Sequence, residues 1–245
     1  MKIISLNTWG GRIPQIDDFI RRHAADVDIF CFQEIHTNKT SEADSSVGER
    51  SEFFEELQKL LPDFKAIFAE QMSGTGLATF VRKPLEIIDS DSYLILSADE
   101  LSHLKMGNGM RRYYPRIVQA VSLKNPQITI FNFHGVPGNE KKDSPERDLQ
   151  MNRLYKILGT VNGEKVLVGD FNLRPDTNAI HGLEKIMRNL VIECGFKTTR
   201  TKLYDKKESM PFADYTFATP GINVKKFEVL TDEVSDHSPM LLQFE

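Results

Sequence analysis

Residues Lys165 to Asn172 read KVLVGDFN, a run of strand-forming side chains that closes on an aspartate and an asparagine two positions apart. In an extended backbone Asp170 and Asn172 point to the same face, while Val166, Leu167 and Val168 supply the apolar, largely β-branched body that anchors the strand in a sheet. A carboxylate beside an amide on a rigid strand suits phosphate chemistry. The carboxylate can orient or deprotonate a water, and the amide can donate to a phosphoryl oxygen as its charge grows. Taken alone, an apolar strand ending in Gly-Asp-x-Asn is more often a turn, because those residues are among the commonest in turns.

Further polar residues stand where other apolar runs stop. Asn7 closes the first run, Glu34 sits near the end of VDIFCFQEIH, and His134 ends ITIFNFH. Asp214 opens DYTFATP, and Asp236 with His237 precede MLLQF. Glu34 and Asp236 are natural oxygen ligands for Mg²⁺ or Mn²⁺, and Mg²⁺ keeps several waters while usually taking one or two carboxylates from a protein. Zinc is disfavoured by oxygen donors and the lack of a cysteine pair. Of the six histidines, His134 and His237 keep company with the other candidates, which fits proton transfer better than ligation. Each residue singly reads as a solvated, turn or structural residue. Together with Asp170 and Asn172 they form a set of eight, much harder to explain that way.

These side chains need a scaffold of strands. Runs at Lys2 to Leu6, Val27 to Ile35, Phe64 to Ala69, Gly76 to Arg82, Leu85 to Ile95 and Ile117 to Leu123 have strand composition. So do Ile128 to His134, Val166 to Asn172, Asp214 to Ala218, Val224 to Leu230 and Met240 to Phe244. Helices are expected from Pro14, with Ile16, Phe19 and Ile20 inward, and from near Ser51 as cap, with Phe54, Leu57 and Leu61 inward. A third starts at Ser144 with Pro145 in its first position and carries Met151, Leu154, Tyr155 and Leu158. A fourth runs from about Asn178 to Val191, with Leu183, Ile186, Met187, Leu190 and Val191 inward. The polar stretches Thr37 to Arg50, Ser97 to Arg111 and Lys197 to Met210 are long for loops, a length that is usually functional or disordered. Amphipathic helices among many strands imply two sheets packed face to face with helices outside.

The chain has 245 residues, of which 40% are hydrophobic and 27% charged, and a net charge of −4. One domain over residues 1–245 is expected, with ample apolar content for a core. There is no global basic field, so a polyanion must be held by local basic patches or a metal. The start, MKIISLNTWGG, is too short an apolar run for a signal peptide, and no run reaches the length of a membrane span. Cys31 and Cys194 form no metal-binding pair by spacing and read as reduced thiols. A cytoplasmic monomer is the expectation.

In order, LNTW around Asn7, FQEIH around Glu34, NFHGVPG around His134, VGDFNLRPD around Asp170 and Asn172, DYTF around Asp214 and SDHSPM around Asp236 and His237 resemble the endonuclease/exonuclease/phosphatase superfamily. GDFN and SDH are short patterns separately; their order and their placement at strand ends together are specific. The resemblance implies an α/β fold, a four-layer sandwich of two mainly antiparallel sheets with the site at one edge, and metal-dependent cleavage of phosphate esters. It also implies roles. Glu34 is the main metal ligand, helped by Asn7 and by Asp236 across the site. Asp170 positions or deprotonates the attacking water, and Asn172 holds a phosphoryl oxygen. His237, held in one tautomer by Asp214, contacts the phosphate or carries a proton. His134 stands where apurinic endonucleases carry a tyrosine and deoxyribonuclease-I-like enzymes a histidine, and donates to the phosphate or protonates the leaving oxygen. In the latter enzymes that histidine has a carboxylate partner on a neighbouring strand. The comparable stretch here, SGTGLATFVR, contains no acid.

Substrate contacts are sought in the basic stretches. GNGMRRYYPR interleaves arginines, among them Arg112 and Arg116, with two tyrosines, a composition able to grip phosphates and stack on bases. A solvated loop whose tyrosines pack on the sheet has the same composition. KTTRTK from Lys197 to Lys202 lines the same cleft or is a solvated face, and Arg147 is a further phosphate contact at a helix start. The leading expectation is an Mg²⁺-dependent phosphodiesterase acting on nucleic acid. A phosphodiesterase or phosphatase for a lipid headgroup or small phosphoester is the alternative that the acidic balance favours. A catalytically silent binding module on the same fold should lack some of Asn7, Glu34, Asp170, Asn172, Asp236 and His237, and all are present.

Overall fold

The computed structural model describes residues 1–38, 43, 45–102, 114–138 and 140–245. One six-stranded sheet contains β1 (Lys2–Asn7), β2 (Ile29–His36), β3 (Phe64–Met72), β4 (Thr75–Arg82), β11 (Val224–Val229) and β12 (Met240–Phe244), in the order β11-β12-β1-β2-β4-β3. The other contains β5 (Ile87–Leu96), β6 (Arg116–Leu123), β7 (Ile128–His134), β8 (Glu164–Asp170), β9 (Arg188–Asn189) and β10 (Asp214–Ala218), in the order β5-β6-β7-β8-β10-β9. The helices are α1 (Ile16–Ala24), α2 (Phe53–Leu60), α3 (Ala98–Leu101), α4 (Pro145–Thr160), α5 (Asn178–Glu184) and α6 (Leu190–Glu193).

Each sheet is antiparallel except at one pair in its middle, β1 with β2 and β7 with β8. Parallel neighbours cannot be joined by a tight hairpin, so a crossover is required, and α1 and α4 supply the two crossovers. This brings the C-terminal ends of β1 and β2 side by side, and likewise those of β7 and β8. Asn7, Glu34, His134 and Asp170 all lie at such ends.

Alternation along β1 and β2 explains the layering. Ile3, Ile29 and Cys31 join Ile130, Val166 and Val168 of the second sheet in the central core. Ile4, Leu6, Phe30 and Phe32 face the other way and pack under Phe19 and Ile20 of α1 and Phe53 and Leu57 of α2. On the far side Met151, Leu154 and Leu158 of α4, with Ile180 and Leu183 of α5, cover the second sheet. The chain is therefore a four-layer α/β sandwich. Near the site a buried polar chain crosses between the sheets: Gln33 Nε2 donates to Asn132 Oδ1 (2.6 Å), and Asn132 Nδ2 donates to Phe32 O (3.1 Å). Gln33 Oε1 is buried there with no hydrogen-bond partner, so this polar chain is satisfied at Asn132 and only in part at Gln33.

Several local expectations need correction. Ser144 caps α4 through the N–H of Arg147 and Pro145 follows it, but α2 starts after Glu52 with no side-chain cap, leaving Ser51 a residue too early. Phe53 takes the fully buried place and Phe54 packs at its edge against Phe68, with the rings tilted by 48° and 5.0 Å between centroids. The stretch from Asn178 to Val191 is not one helix. Thr177 caps α5, which ends at Glu184; Arg188 and Asn189 then pair with β10, and Asn189 caps α6. Ile186, expected inward, is 48% exposed in the connection. Ser97 opens α3 with a capping box to Glu100 instead of a loop. Among the described residues no helix is long and apolar enough to cross a membrane.

Candidate active site

The site forms where the two parallel pairs end. His134 and Asp170 are in register across β7 and β8, and Asp214 faces Asp170 across β8 and β10. The close approach depends on Gly169, whose φ is +135° and whose Cβ, were there one, would lie 2.0 Å from Phe133 O. Strand β8 then stops at Asp170. Asn172 is not on an extended strand as alternation assumed: its φ is +53°, in the left-handed region, and its backbone N–H donates to Asp170 Oδ1 at 2.8 Å. The turn, not the pleat, sets both residues facing the same cleft. Glu34 is re-aimed too. Between Phe32 and Ile35 β2 carries one residue more than β4, a bulge, and Glu34 sits in it with φ +57°. Bulges of this kind redirect side chains, and left-handed non-glycine residues cluster at functional sites.

Asn7 ties the two sheets together. Its Nδ2 donates to Glu34 Oε1 and to Asp170 Oδ2, each at 3.1 Å, while its Oδ1 accepts from Trp9 N at 3.0 Å. Ser235 Oγ donates to Asn7 O (2.7 Å) and accepts from His237 N (3.2 Å), which fixes the segment carrying Asp236 and His237. His237 Nδ1 lies 2.8 Å from Asp214 Oδ2, and its Nε2 lies 3.6 Å from Asp170 Oδ2. His134 Nε2 stands 3.8 Å from Asp170 Oδ2 and 3.9 Å from Glu34 Oε1. Both distances exceed a hydrogen bond, so Glu34 and Asp170 neighbour His134 Nε2 without replacing the carboxylate partner that the SGTGLATFVR stretch lacks.

Charge is sharply arranged. Burial acts to raise Asp170, but His237, His134, Arg200 and Lys141 outweigh it and hold its carboxyl below the usual range. Burial raises Asp214. Burial and Arg200 oppose charge on His237, yet Asp214, Asp236 and Asp170 leave its pKa raised. His134 is pushed down to about 3 by burial and Arg116. Enclosure, Asp236 and Asp170 raise Glu34 against the pull of His237 and Asn7.

That last imbalance is the test for a metal. Glu34, whose side chain keeps 35% of its surface open to the cleft, is raised by burial and by the neighbouring Asp236 and Asp170, and hard oxygen donors so placed fit a divalent cation, although Asp236 Oδ2 is already taken by Arg200 Nη1 at 2.8 Å. Asp170, Asp214 and His237 also offer atoms within 4.8 Å of one another. His237 and Asp214 are already hydrogen-bonded there, so a cation between them would have to break that pair. Asn7 presents its N–H donors to the carboxylates; offering Oδ1 to a cation requires turning the amide over.

The cleft has a volume of about 320 Å³. Its far wall is built by Trp9, Arg12, His36, Glu49 and Gln71. Arg12 pairs with Glu49 and lies 4.7 Å over the Trp9 ring. Gly10, with φ +64°, lets this wall close: a Cβ there would come within 2.7 Å of Glu49 Cγ. Arg116 and Tyr114 line the cleft, whereas Arg112 lies outside the described residues. Arg147 does not line it. Its guanidinium donates to the carbonyls of Lys142 and Val136 and so holds the loop after β7. Of the second basic stretch only Arg200 reaches the cleft. Trp9 and Glu49 were not singled out from the sequence, and Arg200 was reached only as one member of the KTTRTK stretch; a buried arginine inside a polar loop leaves no local periodic signal.

A model of the Endonuclease/Exonuclease/phosphatase family matches residues 4–237. Among solved structures, a mannosyl-6-phosphatase of Bacteroides thetaiotaomicron is similar with a TM-score of 0.73 at 18% identity, over 100% of this chain and 99% of that one. An endonuclease/exonuclease/phosphatase of Bacteroides vulgatus gives 0.70 at 19%, over 100% and 98%. The human Nocturnin catalytic domain with bound sulfate gives 0.66 at 16%, over 100% and 93%. At these identities the likeness is one of fold. No curated protein sequence matches the chain.

Proposed function

The chain belongs to the endonuclease/exonuclease/phosphatase family, and on that footing we propose that it is a hydrolase of phosphate esters that uses a divalent metal ion, Mg²⁺ or Mn²⁺. The observation that carries the reading is the buried Asp214–His237 pair, 2.8 Å apart, with His237 Nε2 3.6 Å from an ionised Asp170. A cation held by Glu34 with Asp236 supplies charge neutralisation at the phosphoryl oxygens when bound. Asp170 orients a water for attack on phosphorus, and the bond from water oxygen to phosphorus forms as the bond to the leaving alcohol breaks. The water's proton passes to Asp170, and the leaving oxygen takes one from solvent. His237, kept in one tautomer by Asp214, directs Nε2 at the phosphoryl group. His134 is neutral at neutral pH and acts there as a hydrogen-bond donor; an imidazolium acid with a pKa of about 3 would be empty of its proton. Asn172 donates to a phosphoryl oxygen.

For the substrate, a cleft of about 320 Å³ is within the size of small-molecule sites and suits a compact phosphoester. The net charge of −4 points the same way, since no global basic field gathers a polyanion, and a fold neighbour is a mannosyl-6-phosphatase. Cleavage of a nucleic-acid end is the second reading, favoured by Tyr114 and Arg116 lining the cleft. Purified protein with Mg²⁺ or Mn²⁺ is to be assayed on sugar phosphates, p-nitrophenyl phosphate, bis-p-nitrophenyl phosphate, sphingomyelin, RNA, abasic duplex and plasmid DNA. Turnover of the small esters at rates well above those on polymers is expected. Cleavage of nucleic acid alone would replace the first reading by the second, and full activity in Glu34→Ala and Asp170→Ala would remove the site itself.

A further inference from the structure

Arg200 lies in the long polar connection between α6 and β10, yet its backbone is fixed at the centre of the site. An isolated antiparallel bridge sets Arg200 opposite His237. Thr201 N donates to Asp236 O (3.1 Å) and Ser238 N to Thr199 O (2.9 Å) on either side of it. Thr199 Oγ1 accepts from the N–H groups of Ala213 and Asp214, at 3.1 and 3.2 Å, which ties the same segment to the start of β10. Residues directly opposite on an antiparallel pair project to one face. Arg200 therefore shares the direction of His237, and both line the cleft with Asp170 and Asn172.

The side chain is held before any ligand arrives. Arg200 is 4% exposed; Nη1 donates to Asp236 Oδ2 at 2.8 Å, and Cζ stands 4.1 Å from the centroid of the Tyr204 ring. Nε is buried and has no hydrogen-bond partner. A guanidinium carries five N–H donors, and burying it with so few acceptors is costly for folding. Nε is closed to solvent, so an anion in the cleft that Arg200 lines would be met by the Nη end of the guanidinium. Arginine's planar fork matches phosphoryl oxygens, and a donor already in place needs no reorganisation when charge develops on them.

We infer that Arg200 is a further catalytic residue, whose guanidinium, anchored by Asp236 and Tyr204, contacts the phosphoryl oxygens and stabilises their charge in the transition state. The inference rests on the hydrolase reading above.

The test compares wild type, Arg200→Ala and Arg200→Lys on the simplest ester that wild type turns over, with melting temperatures for each and with titration of phosphate and vanadate. Arg200→Ala should lower kcat by about 10²-fold with a much smaller change in KM, the scale of losing one preorganised donor. Added methylguanidinium should restore part of that rate saturably, while Arg200→Lys recovers little, because an ammonium lacks the fork. Vanadate affinity should fall more than phosphate affinity. Near wild-type kcat in Arg200→Ala, or parallel losses of kcat and melting temperature with no response to methylguanidinium, would make Arg200 structural. If wild type hydrolyses no phosphoester, the hydrolase reading fails on its own. The anion titrations then decide Arg200 separately: weaker binding by Arg200→Ala supports the contact, and equal binding overturns it.

Discussion

Asp214 and His237 form a pair withdrawn from water, with Nδ1 and Oδ2 2.8 Å apart and side chains 3% and 6% exposed. Because Nδ1 is committed to Asp214, Nε2 is the nitrogen left to face Asp170. Asp214→Asn keeps the shape and removes the charge that favours the imidazolium. Turnover is expected to fall on the order of 10²-fold or more, with a small change in melting temperature. Steady-state kinetics beside a thermal melt checks this, and unchanged kcat would remove the pair from the mechanism.

Asn172 separates chemistry from backbone. Asn172→Ala loses the donor and also places alanine at φ +53°, a strain of roughly 1–2 kcal/mol. Asn172→Gly loses only the donor. Both variants should lose turnover about 10²-fold, while only the alanine form melts lower. A large stability loss in both, with normal turnover in the folded fraction, counts against a role in catalysis.

Gly169 bears on the fold as well as on the site. A methyl there would meet Phe133 O at 2.0 Å, forcing β7 and β8 apart beneath His134 and Asp170. Gly169→Ala should destabilise by on the order of 3 kcal/mol or prevent folding. Urea unfolding measures it; a loss below about 1 kcal/mol would mean the strands separate easily.

His134 should make stability fall in acid. Its folded pKa is lowered to about 3 from 6.5, so between those values the unfolded chain binds the extra proton and the native state does not. Stability then rises with pH across that window and is lost as pH drops from 6.5 towards 3. His134→Gln should show a shallower decline than wild type over the same range. Parallel denaturation curves for the two proteins would show that His134 is charged in the folded state.

Metal removal should be visible without any substrate. Mg²⁺ or Mn²⁺ bound to the native state raises its melting temperature by mass action, and EDTA should reverse both that rise and all turnover. Glu34→Gln should lose the metal-dependent rise. If Glu34→Gln responds like wild type and Asp214→Asn does not, the cation sits with Asp170, Asp214 and His237 instead.

Much of this architecture was legible because it is written in short periods. Near-continuous apolar runs in Lys2 to Leu6 and Ile128 to His134 mark strands buried on both faces, and Ser144 followed by Pro145 marks the start of α4. Asn178 to Val191 misled because its apolar spacing suits a helix, while the pairing of Arg188 and Asn189 with β10 is a long-range contact that no local window contains. Asp170 and Asn172 were paired for a reason that proved wrong in detail: the strand ends at Asp170, and a left-handed turn does what the pleat was expected to do. Arg147 and Arg200 look alike in sequence. One is tethered to carbonyls of its own loop and the other reaches the cleft.

Sequence alone determined the types of residue available and the strand ends at which they stand, since side-chain type and local periodicity need only near neighbours. Tertiary structure decided which of them meet. Asn7 reaches Asp170 across 163 positions, and Arg200 reaches Asp236 across 36. Those contacts exist only because two crossovers, one bulge and one added bridge bring distant strand ends to a single edge. The energies that select that arrangement belong to packing between layers, which no stretch of chain carries by itself.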